Sequence, residues 1–108
     1  MRAGLIFAVA LMAWPAMAMD PTGISECDKL INAYEACSAR LPRERVHAAQ
    51  IEIVESQQNF SAGARDAHLR PLMAQFCKTR LNDMKIKGDL TACMIEQAGP
   101  ADPAPATR

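Results

Sequence analysis

The chain has 108 residues, 12 basic and 12 acidic, and no net charge. That balance offers no broad basic surface for nucleic acid or for an anionic membrane. The length suits one small domain, and such a chain buries only about 60–65% of its unfolded surface, so its core alone is marginal.

The opening segment has the composition of an export signal. Arg2 gives a positive start, the run from Gly4 to Ala13 is apolar and uncharged, and Trp14 and Pro15 break it. Ala16-Met17-Ala18 then supplies the small residues a signal peptidase reads, so the expected cut lies between Ala18 and Met19. A spanning helix needs about 20 apolar residues and this run is shorter, so stable membrane insertion is not expected. Location follows as periplasmic or secreted. No cysteine follows the cut to take a lipid, and loss of Arg2 leaves the mature chain one charge acidic.

Three helices are predicted after the cut. The first, capped by Thr22 or Ser25, runs to about Arg40 with Ile24, Cys27, Ile31 and Tyr34 on one face and Leu30 and Cys37 alongside. Leu41-Pro42 ends it, because proline donates no hydrogen bond and restricts the residue before it. Pro42 also suits the first turn of the second helix, whose stripe is Val46, Ala49, Ile53 and Phe60, with Gln57 as a polar interruption. Ser61 and Gly63 weaken that helix, which ends between Phe60 and Asp66. Pro71 fits a first turn and no later position, so the third helix starts between His68 and Arg70 and reaches about Lys87, before Gly88-Asp89. Its stripe is Leu69, Leu72, Met73, Phe76, Cys77 and Met84, with Leu81 at the margin and Arg80 near the centre. Leu90, Cys93 and Met94 make one more short turn. The tail of residues 98–108 is rich in proline and alanine and is expected to be disordered. The predicted divisions are a signal peptide over 1–18, a disulfide-stapled helical domain over 19–97 and the tail over 98–108.

All four cysteines, Cys27, Cys37, Cys77 and Cys93, lie in the mature part, which in an exported chain reads as a disulfide framework. Nine and fifteen residues separate successive pairs. Structural zinc sites bring ligands in closer pairs, and neither a Cys-x-x-Cys redox motif nor a haem-attachment motif is present. Cys27 and Cys37 differ in height by about 15 Å on one helix and cannot bond each other. Two arrangements remain. An up-down-up three-helix bundle makes the first and third helices parallel and joins Cys27–Cys77 and Cys37–Cys93, which is the favoured pairing. A helical hairpin makes them antiparallel and joins Cys27–Cys93 and Cys37–Cys77. The fold class is all-α in both.

The segment Cys27-Asp28-Lys29-Leu30-Ile31-Asn32-Ala33-Tyr34-Glu35-Ala36-Cys37 has the Cys-x9-Cys spacing of the twin Cys-x9-Cys hairpin proteins, while the second pair departs from it. Over residues 26–93 the chain resembles the small four-cysteine helical proteins exported by proteobacteria. That resemblance brings no functional residues with it.

No catalytic, cofactor or metal set converges in the sequence. His47 lies off the second stripe and His68 at a helix break, both read as exposed and idle, and the methionines of the third stripe read as core filler. Six basic residues fall between Arg65 and Lys87, a pattern usual for a solvated helix face. Arg80 is the exception by position. On an apolar stripe it either snorkels, pairs with an acid of a neighbouring helix, or contacts a partner. The expected function is a binding or structural module of the cell envelope, partnered by another envelope protein and without catalysis. The alternative is a carrier of a small ligand or metal in the periplasm. The export reading is checked by intact mass of the protein recovered from the host: the N-terminus is expected at Met19, and a chain retaining residues 1–18 overturns secretion.

Overall fold

The computed structural model describes residues 20–103. The expected signal peptide therefore lies outside the described residues, as does the tail from 104 onward. Four helices occupy this span: α1 (Ser25–Ser38), α2 (Arg43–Gly63), α3 (Leu69–Ile86) and α4 (Thr91–Ala98).

Their ends follow from local chemistry. Leu41 N–H closes the first turn-off onto Ser38 O at 3.1 Å, and Pro42 stands as the residue before α2. Pro71 sits in the first turn of α3, where its missing N–H costs nothing. Gly88, at φ +112°, reverses the chain after α3 in a conformation that side chains with a Cβ rarely take. Neither Thr22 nor Ser25 caps α1 with its side chain. Thr22 instead fixes the entry: its N–H donates to Asp28 Oδ1 at 2.7 Å and its hydroxyl accepts the Ile24 N–H at 3.1 Å. Asp28 thereby places its negative charge in the first turn of α1, beside the positive end of the helix dipole.

The helices run up, down, up. Arg70 Nη2, at the start of α3, donates to Gly23 O beside the start of α1 at 3.0 Å, so α1 and α3 are parallel. Glu52 in the middle of α2 meets Tyr34 of α1 and Arg80 of α3, and Gln57 reaches back to Asp20 O, so α2 is antiparallel to both. The expected last turn is a two-turn helix, α4, which folds back over the end of α1. Ala98, where the predicted tail begins, closes α4. The next residues are held on α3: Lys85 Nζ donates to Ala98 O at 2.9 Å and the Asp102 N–H donates to Asn82 Oδ1 at 2.6 Å.

The core is small and centred on sulfur. Met94, Cys27, Cys37 and Cys77 are fully buried. Leu30 and Ile31 of α1, Ala49, Ile53 and Phe60 of α2 and Leu81 of α3 pack around them. Cys27–Cys77 and Cys37–Cys93 are bonded, with Cα atoms 4.9 and 5.7 Å apart, which is the pairing of the parallel arrangement. The bridges close loops of 50 and 56 residues. In the chain-entropy model a loop of that size gives about 4 kcal/mol, a large share of the 5–15 kcal/mol typical of whole domains.

Replacing Cys27 and Cys77 together by alanine is therefore expected to cost about 4 kcal/mol and to lower the Tm by at least about 15 °C, read by circular dichroism melts. A shift of less than about 5 °C contradicts this account. Non-reducing peptide mapping checks the pairing, and a Cys27–Cys93 peptide overturns the parallel bundle.

Candidate functional site

The side chains that α3 leaves outside define the site. Its buried face carries Cys77 and Leu81, with Met73, Ala74 and Met84 partly covered. Leu69, Leu72 and Phe76, predicted to lie in the core stripe, are 41%, 66% and 58% exposed. Cys77 sets this rotation, because it must face Cys27. At 100° per residue Leu81 follows it inward, while Leu72 lies about 140° and Phe76 about 100° away. α3 packs chiefly on α1 and less on α2, so α2 does not roof the displaced stripe. Phe76 only reaches the edge of Phe60, with ring centroids 6.1 Å apart and planes tilted by 55°.

Where α3 and α2 approach, Met73 occupies the space beside a glycine. A Cβ at Gly63 would stand 1.9 Å from Met73 Sδ. The Gly63 position that weakens the helix in sequence terms is thus where the Met73 side chain of α3 lies against α2.

Arg80 lies one turn beyond Phe76 on the same side. It is half exposed, and its Nη2 stands 3.8 Å from Glu52 Oε1, within ion-pair reach and beyond hydrogen-bond range. The other Glu52 oxygen accepts the Tyr34 hydroxyl proton at 2.9 Å. Burial, then the hydrogen bond to Glu52 and its negative charge, push the Tyr34 phenol from its ordinary 10.0 up to about 12. These three side chains rim a cleft of about 80 Å³ between α1, α2 and α3, floored by Leu30, Ile31, Ile53 and Phe60 and flanked by Phe76 and Met84. The Tyr34–Glu52 contact spans 18 residues between two helices and has no signature in helical periodicity. Glu52 carries no mark in the sequence that singles it out.

The other candidates stay apart. His47 and His68 are exposed on different elements, and among the described residues no group of three or more His, Cys, Asp or Glu side chains could hold a metal ion. Gln57, the polar interruption of the second stripe, donates to Asp20 O and to Ser61 Oγ, both at 3.1 Å, and ties the incoming chain to α2. Two larger hollows of about 580 Å³ are open grooves, one beside Lys29 and Lys78, the other beside Asp20 and Arg65. No helix among the described residues is long and apolar enough to cross a membrane. Comparison with family models, with curated proteins and with solved structures returned no match.

Tyr34 is the chain's single tyrosine, so phenolate absorbance near 295 nm reports it alone. Its midpoint is expected near 12 in the folded protein. A raised folded pKa means the folded state holds the proton more tightly. The stabilisation is therefore complete below the unfolded value of about 10 and lost as pH rises towards 12. Tyr34→Phe is expected to remove that share of the alkaline loss, read from denaturant midpoints at successive pH values. A folded midpoint near 10 contradicts the burial of the Tyr34 phenol together with its Glu52 contact.

Proposed function

We propose that this is a binding module of the bacterial cell envelope, acting through the α3 face that carries Leu72 and Phe76. The observation that carries the reading is their exposure, 66% and 58%, the highest of any large apolar residue among the described residues, one turn apart and next to a half-exposed arginine. Clustered exposed apolar side chains mark interaction surfaces more often than scattered ones do, and aromatic residues and arginine are enriched where partners meet. The two disulfides fit an oxidising compartment. Export by residues 1–18 and release after Ala18 belong to this proposal and rest on the sequence.

The carrier alternative draws less support. Ligand pockets usually measure about 300–1,000 Å³, and the enclosed cleft reaches only about 80 Å³. The hollows that match in size are open to solvent and lined largely by charged and polar side chains.

The test is capture of the mature chain's partner from envelope extract of the host, with the double variant Leu72→Ser/Phe76→Ser beside the unmodified protein. Both side chains contribute little to the core, so the Tm is expected to stay within a few degrees while capture is lost. Capture that survives the double change moves binding to another face, and an unmodified protein that retains nothing refutes the module.

A further inference from the structure

Leu72, Phe76 and Arg80 stand four residues apart on α3. Residues at that spacing form one ridge on a helix surface, the feature that helix–helix packing uses. Leu69 widens the ridge at its start. From Leu69 to Arg80 the ridge covers twelve residues, about 16 Å over eleven steps of 1.5 Å. That is the footprint of one short helix. A standard interface between folded proteins engages roughly 20–30 residues a side, and the ridge presents four, Leu69, Leu72, Phe76 and Arg80.

Arg80 supplies the charge requirement. Its carboxylate neighbour, Glu52, stands 3.8 Å away and already accepts the Tyr34 hydroxyl. Among the described residues the Arg80 guanidinium donates no hydrogen bond, so its planar fork of N–H donors is open to a carboxylate, the group it fits in bidentate fashion. Asp83 follows one turn beyond, which directs an incoming acid to the Phe76 side of the guanidinium. A second α3 does not meet the requirement, because its one acid on this side, Asp83, lies past Arg80 at the end of the ridge. Shifting a second α3 until its Asp83 reaches Arg80 uncovers Leu72 and Phe76.

We infer that the ridge Leu72–Phe76–Arg80 docks a two- to three-turn amphipathic helix of another protein, with two apolar residues one turn apart over Leu72 and Phe76 and an aspartate or glutamate one turn further on Arg80. This rests on the binding reading given above and specifies the chemistry of the partner. The apolar contacts supply the affinity, and the acid fixes direction and register, as single charged groups do in helix-in-groove recognition.

The test uses the full chain in its host with a benzophenone amino acid in place of Leu72, irradiation, and mapping of the cross-linked residue by mass spectrometry. The expected product joins position 72 to an apolar position of a helical segment with an acid one or two turns away. Arg80→Glu is expected to cut the yield about tenfold while the Tm falls by only a few degrees for loss of the exposed Glu52 pair, and reversal of the partner's acid to arginine is expected to restore the yield. Arg80→Gln, which removes charge without reversing it, gives the same direction of change should the reversal disturb folding. A cross-link to a loop, to a helix without an acid, or to a second copy overturns this inference and leaves binding through α3 intact. So does a yield that ignores both Arg80 variants. Absence of any intermolecular cross-link from position 72, and from the same amino acid placed instead at position 76, overturns the binding reading as well.

Discussion

Both covalent cross-links leave from α1. Cys27 and Cys37 are ten residues apart on one helix, so they act as two fixed points about 15 Å apart on a stiff rod. One holds α3 and the other holds α4. A single tether fixes a distance. Two tethers on one rod, reached by consecutive helices, also fix the direction of α3, its height and, through Cys77, its rotation about its own axis. That rotation is the source of the displaced stripe. Leu81, one turn past Cys77, goes inward with it, and the side bearing Leu72 and Phe76 is turned outward.

No such tether holds α2. Its place is set by a short apolar seam, Ala49, Ile53 and Phe60 against α1, by the close approach at Gly63 and by polar ties at its two ends. Those ties are the Arg45–Asp89 ion pair at one end and the Gln57 contact with Asp20 at the other. Exposed ion pairs contribute about 0–1 kcal/mol each, so the seam does most of the work. A helix held this way settles where its own apolar residues are covered. It has no reason to extend over the far side of α3, and the 80 Å³ cleft between the two marks the place where its coverage ends.

The helix boundaries were legible because proline and glycine act locally: Pro42, Pro71 and Gly88 each forbid or favour one conformation whatever the surroundings. The parallel pairing was favoured but not fixed: helical rise converts residue number into height, and both the parallel bundle and the antiparallel hairpin could match two heights. The orientation of α3 was not. Hydrophobic periodicity averages over a face, and the stripe centred near Phe76 and Met73 looks equally good whether or not a partner helix covers it. Cys77 carried the missing information, since a bridged cysteine must point at its partner and residues about 100° or more away from it cannot share that direction. The strap of residues 98–102 on Asn82 and Lys85 was hidden for another reason. Composition marks a chain that cannot build a core of its own, and it says nothing about backbone carbonyls that a neighbouring lysine can satisfy.

Stability and exposure are connected here. A domain of this size without cross-links would need nearly every large apolar side chain in its core. Leaving Leu72 and Phe76 outside forgoes roughly 1.5–3 kcal/mol of burial for each. Each bridge offsets that by about 4 kcal/mol. The cross-links therefore do more than hold the helices together: they release apolar side chains from the core without unfolding the domain. Leu72 and Phe76 lie together on one ridge of α3, beside an arginine paired with Glu52 at 3.8 Å, while Ile51, Val54, Ile86 and Ile95 are exposed elsewhere. In such a scaffold the covalent frame carries a large share of the stability, and apolar surface can stay outside the core.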